Sequence, residues 1–590
     1  MPERGVRCIQ SSSELLMIQG KARGSHIDLV KMVSAASLGL GLTAVLLVLA
    51  GASGWQAYTT PVQAANSGNS CLPRAPAEVT LTRGPYLQSV MTDSIIVVWE
   101  TNTPAGSQVD YGPTTSYGLV VSSAIPVTHH ALTLAGLGPY TLYHYRVSSD
   151  GQALGAESTF RSAAGPTQTA FSFVVLGDTA GTNVEAHQSV VNRIAALQPD
   201  FVLHNGDFVE DGSVAAQWTT FFTIEQALLR QSPLYGTLGN DDMSSPNYFN
   251  AFHLPGTERW YSFDYGDAHI VSLEVDDVAD FGPDNPQYTW LENDLASTDR
   301  QWKIVFFHIP PYTSDAMSTL VPLLAEHGVD IVFSGHAHLY ERAQVGDVMY
   351  VISGGGGEPL YSGPLNPYSA YYTSTYHCVL VTINGRSLTS VGVRPDGVEF
   401  DPFTLYNPPV AAFESSSPGW LGQTILFTNT TLTSGATSYE WALGDGAEST
   451  EKNPTHAYML PGLYTVTLTA TNPAGSHRAV AMVEIYGAPA ASFTAYPIKG
   501  PRPLTVVFTD ETTTGPLADP TLIHLWQFGD GQTSALRDPT HTYTVAQVYT
   551  VTLAVTNAAG SSMVERANYV SVYVPLNVYL PLILSHSSGP

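Results

Sequence analysis

Short motifs rich in Asp, Asn and His occur at five places between residues 177 and 338. Each motif follows an apolar run that is typical of a buried strand. Carboxylate, amide oxygen and imidazole ligands together suit iron, zinc or manganese. Six candidates exceed the four ligands of a tetrahedral ion, and they suit two ions about 3.5–4 Å apart that share one carboxylate. In chain order the candidates are Asp178, Asp207, Asn240, His308, His336 and His338.

Strands and helices alternate around these motifs. The apolar runs Phe171–Leu176 and Phe201–Leu203 alternate with helical patterns such as Glu185–Leu197 and Trp218–Arg230. This alternation over residues 168–400 predicts an α/β domain with layers on both faces of a sheet. Because the carboxyl ends of strands form the binding crevice of such a sheet, we expect the five motifs to meet at one sheet edge.

All-β patterns flank the α/β region. Residues 78–163 contain short alternating strands separated by turn residues, which favours a small β-sandwich. Beyond residue 408 an internal repeat recurs at a constant offset of 85 residues, which predicts two tandem domains of one fold at residues 408–487 and 488–574. A tail follows at residues 575–590. The matching positions include Trp441 and Trp526, Gly444-Asp445-Gly446 and Gly529-Asp530-Gly531, and His456 and His541.

The Asp and His residues of this repeat are interpreted as turn structure rather than as a metal site. They recur inside one turn motif in both copies. Gly supplies positive φ in such turns, and Asp caps its own backbone.

Residues 1–65 have the order of an export segment. Lys21, Arg23 and Lys31 precede an uncharged apolar run, and Val62-Gln63-Ala64 fits a small-residue cleavage pattern. The apolar run is long enough to span a bilayer, so an uncleaved anchor is the alternative, and only then is a membrane a partner. Either outcome places the chain after Ala65 outside the cytoplasm, with residues 66–77 as a linker.

Composition narrows the class of partner. The net charge is −27, from 23 Lys and Arg against 50 Asp and Glu, so nucleic acid is not an expected partner. Three cysteines are too few for a disulfide framework or a four-cysteine zinc site. Cys71 and Cys378 either pair or remain two thiols.

The motif order GD…GD…GN…H…GHxH, followed by Leu339-Tyr340-Glu341-Arg342, resembles the calcineurin-like metallophosphoesterases. Arg83-Gly84-Pro85-Tyr86-Leu87-Gln88 and the sandwich after it look like the N-terminal, fibronectin-III-like domain of the purple acid phosphatase branch. The resemblance implies a four-layer α/β sandwich that hydrolyses phosphate monoesters or diesters. It further implies two ions that lower the pKa of a shared water, generate hydroxide and clamp the phosphate for in-line attack.

The resemblance also distributes the ligands between the two ions. It implies that Asp207 bridges them. Asp178 and His338 are assigned to the first ion, and the second receives Asn240, His308 and His336.

Three positions depart from the family pattern. Glu210 stands where purple acid phosphatases have a tyrosine, and Ala180 where other branches have a histidine, so the first ion has one protein ligand fewer unless Glu210 binds it. Asp241 replaces the histidine that normally stabilises or protonates the transition state. Beside two dications we expect Asp241 to stay ionised, which makes it a poor general acid and repels a dianionic phosphate. His204 is the alternative donor, although we favour a role in holding the Asp207 loop.

Two further features receive structural interpretations. Gly354–Gly357 lacks the context of a phosphate-binding loop and is predicted to be a flexible strand connection. Arg342 is predicted to be a partner in a structural ion pair.

The C-terminal repeat resembles the polycystic-kidney-disease (PKD) domain, through the pattern WxFGDG…NPxHxY…GxYxVxLxxxN. Leu443 replaces the usual aromatic residue in the first copy, and Asp538 replaces Asn in the second. The resemblance implies immunoglobulin-like sandwiches that act as spacers or adhesion modules on exported proteins, in contact with a cell surface or polysaccharide. The alternative function is therefore a catalytically impaired, metal-binding surface or adhesion protein.

Overall fold

A computed structural model of the chain describes residues 78–180, 183–275, 281–311, 319–363, 368–433, 437–515 and 519–576. The predicted export segment, Cys71 and the chain from residue 577 onward lie outside these ranges. None of the helices within them is long and apolar enough to cross a membrane.

The first part of the described chain is one five-stranded sheet. Its strands are β1 Leu81–Gln88, β2 Ser94–Gly112, β3 Leu119–Ala135, β4 Leu142–Ser149 and β5 Gln152–Arg161. They are arranged in the order β1-β2-β4-β5, with β3 also paired to β2. The Tyr86 hydroxyl donates to the carbonyl of Ala251 at 2.6 Å, and the Tyr145 hydroxyl donates to that of Arg230 at 2.8 Å. These buried contacts join the sheet to the α/β region.

Alternating strands and helices follow, as the sequence predicts. The strands are β6 Ala170–Leu176, β7 Phe201–His204, β8 Leu234–Gly236, β9 Tyr261–Tyr265, β10 Ala268–Ser272, β11 Trp302–Phe306, β12 Ile331–Ser334, β13 Tyr340–Val345, β14 Val348–Ser353, β15 Ser369–Thr373, β16 Cys378–Asn384, β17 Ser387–Val393 and β18 Glu399–Tyr406. The helices are α1 Val184–Leu197, α2 Ala215–Leu229, α3 Pro246–Ala251, α4 Pro286–Ser297 and α5 Leu320–Glu326.

These strands form two sheets rather than one. The six-stranded sheet has the order β18-β17-β16-β6-β7-β8, and the seven-stranded sheet has the order β15-β13-β14-β12-β11-β10-β9. Neighbouring strands β6, β7 and β8 are parallel, as are β10, β11, β12 and β14. Helices α4 and α5 pack on the seven-stranded sheet, and α1 and α2 share the core of the six-stranded one. The result is a four-layer sandwich.

The two-sheet arrangement corrects one expectation. Three candidate motifs follow β6, β7 and β8, whereas the other two follow β11 and β12 of the second sheet. The expectation of a single sheet edge is therefore wrong, because the carboxyl ends of strands from two packed sheets supply the motifs. In addition, β18 continues to Tyr406, past the predicted end of the region at residue 400.

The C-terminal repeat folds twice in the same way. The first copy contains β19 Phe413–Ser415, β20 Gly419–Trp420, β21 Thr424–Asn429, β22 Ser438–Ala442, β23 Glu448–Ser449, β24 Thr455–Ala457, β25 Gly462–Asn472 and β26 Gly475–Tyr486. The second contains β27 Phe493–Tyr496, β28 Lys499–Pro501, β29 Leu504–Asp510, β30 Ile523–Gln527, β31 Thr533–Ser534, β32 Thr540–Tyr543, β33 Val548–Asn557 and β34 Gly560–Tyr573. A three-stranded and a five-stranded sheet have the same strand order in both copies.

Repeated residues make repeated hydrogen bonds. The Nε2 atom of His456 lies 2.7 Å from Asp445 Oδ2, and His541 Nε2 lies 2.8 Å from Asp530 Oδ2. The other oxygen of each carboxylate accepts a backbone N–H two residues further on, at 3.1 Å in both copies. The interpretation of these residues as turn structure is therefore confirmed.

Candidate metal centre

Three of the predicted ligands occupy unusual backbone positions. Asp178, Asp207 and His336 have φ angles of 59°, 53° and 66°, in the left-handed region. For a residue other than Gly such a conformation is uncommon and costs about 1–3 kcal/mol. The turns that carry these side chains toward one another are thus held in strained conformations by the surrounding fold.

Four predicted ligands converge on one point. His308 Nε2 lies 3.0 Å from Asp207 Oδ2 and 3.1 Å from Asn240 Oδ1. His336 Nδ1 lies 2.9 Å from the same Asn240 oxygen. Adjacent ligand atoms around an ion with bonds of about 2.1 Å are separated by about 3.0–3.4 Å, so these distances fit one coordination sphere.

Asp178 and His338 form a second group. His338 Nε2 lies 3.6 Å from Asp178 Oδ1. That oxygen also accepts the backbone N–H of His336 at 2.8 Å. The second oxygen, Asp178 Oδ2, is buried and has no hydrogen-bond partner among the described residues.

The hydrogen bonds of His308 and His338 at Nδ1 allow their Nε2 atoms to bind a cation. The Nδ1 atom of His308 lies 2.8 Å from the carbonyl of Asn205, and the Nδ1 atom of His338 lies 3.0 Å from that of Pro359. A carbonyl only accepts, so each Nδ1 carries the proton, and the Nε2 of a neutral ring is a lone pair. Both lone pairs face carboxylate or amide oxygens, which a cation between them would satisfy.

Charge within the cluster is consistent with this donor set. Burial lowers the pKa values of His336 and His338, so both rings are neutral at neutral pH. Burial raises the pKa of Asp178, which also lies near the Asp207 carboxylate. Burial acts in the same direction on Asp207, but the charge of a protonated His308 ring and its hydrogen bond outweigh burial and lower the pKa of Asp207, and a bound cation would take the place of that proton. Buried carboxylates in such proximity are stabilised by taking up a proton or by a nearby cation.

A buried carboxylate that the sequence analysis did not single out positions the ligand turns. Asp242 Oδ2 accepts the backbone N–H groups of Asp207 at 3.0 Å and Gly239 at 2.9 Å, and Oδ1 accepts that of Phe208 at 3.0 Å. A Cβ on Gly239 would lie 2.2 Å from Asp207 Oδ1, so the close approach of the two turns requires glycine. The signal in the sequence was a second Asp directly after Asp241.

His204 does not join the cluster. It is fully buried, its Nε2 lies 3.0 Å from the Thr179 hydroxyl, and its ring stacks on Phe208 at 3.8 Å. The proposal of His204 as an alternative proton donor is therefore corrected, because a ring packed behind the Asp207 turn cannot reach a leaving group. The favoured role, support of that turn, agrees with these contacts.

Asp241 lies at the rim of the cluster. Its backbone N–H donates to Asp207 Oδ1 at 2.9 Å, and its Oδ1 accepts the Asn240 side-chain N–H at 2.7 Å. Burial and the Asp207 carboxylate raise its pKa in the ion-free chain. The expectation that two dications would keep Asp241 ionised stays a prediction.

Sequence analysis also missed Glu358. Oxygen atoms of Asp207, Asp241 and Glu358 all lie within 4.8 Å of one another. The preceding Gly354–Gly357 is buried and closely packed, so its interpretation as a flexible connection is wrong. By contrast, the structural ion pair of Arg342 is confirmed, since its guanidinium binds both oxygens of Asp401 at 2.7 and 2.8 Å.

Comparisons with known proteins agree with this architecture. The family model for calcineurin-like phosphoesterases matches residues 171–340, and that for PKD domains matches residues 406–486 and 488–572. The chain therefore contains a metallophosphoesterase domain and two PKD domains.

The relatives include purple acid phosphatases. Purple acid phosphatase 18 of Arabidopsis thaliana is 29% identical over 264 residues, covering 40% of this chain and 58% of the relative. The probable purple acid phosphatase 20 of the same plant is 27% identical over 344 residues, covering 51% of this chain and 78% of the relative. A solved purple acid phosphatase from yellow lupin seeds has a TM-score of 0.49 at 21% identity and covers 55% of this chain and 74% of its own. The chain thus spans less than two thirds of the first of these relatives.

Proposed function

We propose that this chain is an exported phosphoesterase that uses two metal ions to hydrolyse phosphate monoesters or diesters. The observation that carries the proposal is the convergence of ring nitrogens of His308, His336 and His338 on oxygen atoms of Asp178, Asp207 and Asn240. The metallophosphoesterase domain and the purple acid phosphatase relatives support the same activity.

The predicted division of ligands is compatible with the geometry. Asn240, His308 and His336 would hold one ion, Asp178 and His338 the other, with Asp207 between them. Such a pair of ions, whether iron, zinc or manganese, supplies an activated water and neutralises phosphate charge during in-line displacement. The chain fixes the ligands in advance: Asn205 orients His308, Pro359 orients His338, and Asp242 holds the Asp207 turn.

Asp241 sets the expected preference for substrate. Its position beside Asp207 places a carboxylate where the family has a histidine. An ionised carboxylate there repels a phosphate dianion more than a diester monoanion and donates no proton to a leaving group. We therefore expect diesters and substrates with acidic leaving groups to be hydrolysed best.

Export is part of the proposal and rests on the sequence of residues 1–65, which lie outside the described residues. The two PKD domains support an extracellular or cell-surface location. They would act as spacers, or contact a cell surface or polysaccharide.

Hydrolysis of p-nitrophenyl phosphate and of its bis ester, with Mn, Zn or Fe added in turn, tests the activity. These leaving groups scarcely need an acid, so turnover is expected with at least one metal. The matched variant Asp241→His should raise monoester turnover relative to diester turnover by roughly tenfold or more, because it restores a proton donor. Absence of turnover with every metal would instead favour the alternative, a metal-binding surface or adhesion protein.

A further inference from the structure

The first ion is short of one ligand in the predicted arrangement, and Glu210 does not supply it. Glu210 is exposed, and no hydrogen bond or ion pair within the described ranges joins it to the cluster. The carboxylate grouped with Asp207 and Asp241 belongs to Glu358 instead.

We propose that Glu358 is a protein ligand of the first ion, together with Asp178, Asp207 and His338. Glu358 would supply the ligand that a tyrosine provides in the purple acid phosphatases. This inference rests on the proposed function, since it assumes that the cluster holds metal.

The contacts of Glu358 connect it to the first-ion group. Its Oε2 lies 3.1 Å from His338 Nε2, within the separation of about 3.0–3.4 Å expected for neighbouring ligand atoms. Its backbone N–H donates to the carbonyl of Asp178 at 3.0 Å, which ties the two ligand turns together. The side chain is about one-tenth exposed, and Oε1 is buried without a hydrogen-bond partner among the described residues.

The His338 tautomer explains why a cation is needed between these atoms. Because Nδ1 donates to Pro359, the Nε2 lone pair of the neutral ring faces Glu358 Oε2 and Asp178 Oδ1. With the Glu358 carboxyl ionised, three acceptors would then face one another in a buried site. A cation at their centre converts this repulsion into coordination.

The backbone before Glu358 is fixed by close packing. A Cβ on Gly356 would lie 2.3 Å from the carbonyl oxygen of Gly177, and one on Gly357 would lie 2.9 Å from the His187 Cβ. Only a glycine run can pass so close to the Asp178 turn, and it delivers Glu358 into the cluster. Glu358 lies beyond residue 340, where the family match ends, so the match does not assign it a role.

Two isosteric variants test this assignment, Glu358→Gln and the matched control Glu210→Gln. Each variant replaces one carboxylate by an amide. Glu358→Gln does so at the proposed ligand, and Glu210→Gln does so at the position of the family's tyrosine. The readouts are the number of Mn²⁺ ions bound per chain after equilibrium dialysis and the melting temperature with and without Mn²⁺. The conservative variant Glu358→Asp completes the set.

The wild type and Glu210→Gln should bind two ions, and Glu358→Gln one, with affinity for the other ion reduced at least about 100-fold. Glu358→Asp should recover part of that affinity. Without metal, Glu358→Gln should melt no lower than the wild type, because the amide can donate a hydrogen bond to the lone pair of His338 Nε2.

Retention of two tightly bound ions by Glu358→Gln would overturn the assignment, as would loss of one by Glu210→Gln. If Glu358→Gln lost its native secondary structure along with the ion, the assignment would also be overturned, because Glu358 would then be a structural partner of His338. These outcomes are separate from failure of the proposed function, in which the wild type binds ions but hydrolyses neither nitrophenyl ester. A wild type that binds no ion would overturn both proposals.

Discussion

Asp residues follow glycines and lie near His residues in both the PKD domains and the metallophosphoesterase domain, yet their hydrogen bonds differ. In the PKD domains each His donates to one carboxylate oxygen and a backbone N–H satisfies the other, as at Asp445 and Asp530. In the metallophosphoesterase domain Asp178 Oδ2 and Glu358 Oε1 are buried without such partners within the described chain.

The difference lies in the balance of donors and acceptors rather than in residue type. A PKD Asp–His pair is closed, since its donors match its acceptors. The metal centre has an excess of acceptors because the Nδ1 protons of His308 and His338 are already used by carbonyls. Buried groups that lack a partner are rare in proteins, so the excess supports the proposed metal site.

The largest expected effect comes from equivalent substitutions in the two regions. Asp207→Asn should reduce phosphatase activity by more than about 100-fold and lower metal content, because it alters the ligand shared by both ions. Asp530→Asn should leave both unchanged. Metal analysis and nitrophenyl ester assays check this, and full activity in Asp207→Asn would refute the assigned site.

A histidine of the metallophosphoesterase domain whose two ring nitrogens are both hydrogen-bonded extends the comparison to the pH dependence of stability. His269 lies between Asp264 at 2.8 Å and Asp294 at 2.9 Å. Burial lowers its pKa, but the two carboxylates outweigh burial and raise the pKa from 6.5 to about 9. The folded state therefore binds a proton that the unfolded state releases between these values.

Stability from His269 should be fully present below pH 6.5 and lost as pH rises through about 9. The contribution amounts to about 3 kcal/mol at most, since each pKa unit is worth about 1.4 kcal/mol. Urea unfolding of the wild type and His269→Gln at pH 6 and pH 9.5 measures it. An equal stability difference at both pH values would contradict this role.

The two PKD copies differ in whether an aromatic ring stacks on the histidine of the turn. His541 stacks on Phe528 at 4.2 Å, whereas the corresponding position in the first copy is Leu443. Both histidines should stabilise their turns by about 1 kcal/mol through the hydrogen bond. We expect His541→Gln to cost about 0.5–1.5 kcal/mol more than His456→Gln, because it also loses the stacked pair. Equal losses in urea unfolding would show that the ring adds nothing.

The colour of the iron-loaded protein reports whether a tyrosine binds the metal. In purple acid phosphatases the colour comes from charge transfer between tyrosinate and ferric ion, and Glu210 stands at that tyrosine position. The iron-loaded protein should therefore lack an intense visible band, and Glu210→Tyr should gain one. A band in the unmutated protein would indicate another tyrosine ligand. Tyr361, whose ring stacks on His338 at 4.1 Å, would then be the first to substitute.

Much of the fold followed from local patterns. The predicted helix at Glu185–Leu197 is observed at Val184–Leu197, and the 85-residue repeat gave two domains with identical strand order. Periodicity and repetition are properties of neighbouring residues, so one sequence reveals them. The division into two sheets depends on pairing between strands far apart in the chain, which residue patterns alone did not specify.

The site was also predictable in the part that depends on local sequence patterns. Six predicted ligands come together because each directly follows a strand. Glu358 follows a glycine run instead, and only the packing of Gly356 against Gly177 brings it to the cluster. His204 was misjudged as an alternative donor for a similar reason, since its direction depends on Thr179 and Phe208.

Metal titration of two chains tests the central claim most directly. The full chain is compared with one ending at Pro409, which keeps β18 and the whole metallophosphoesterase domain but lacks both PKD domains. Both chains should bind two ions with the same affinity, because both contain the metallophosphoesterase domain with its excess of hydrogen-bond acceptors. The Asp–His pairs of the PKD domains already have their hydrogen-bond partners. A folded Pro409-terminated chain that binds no ions, while the full chain binds them, would contradict the account.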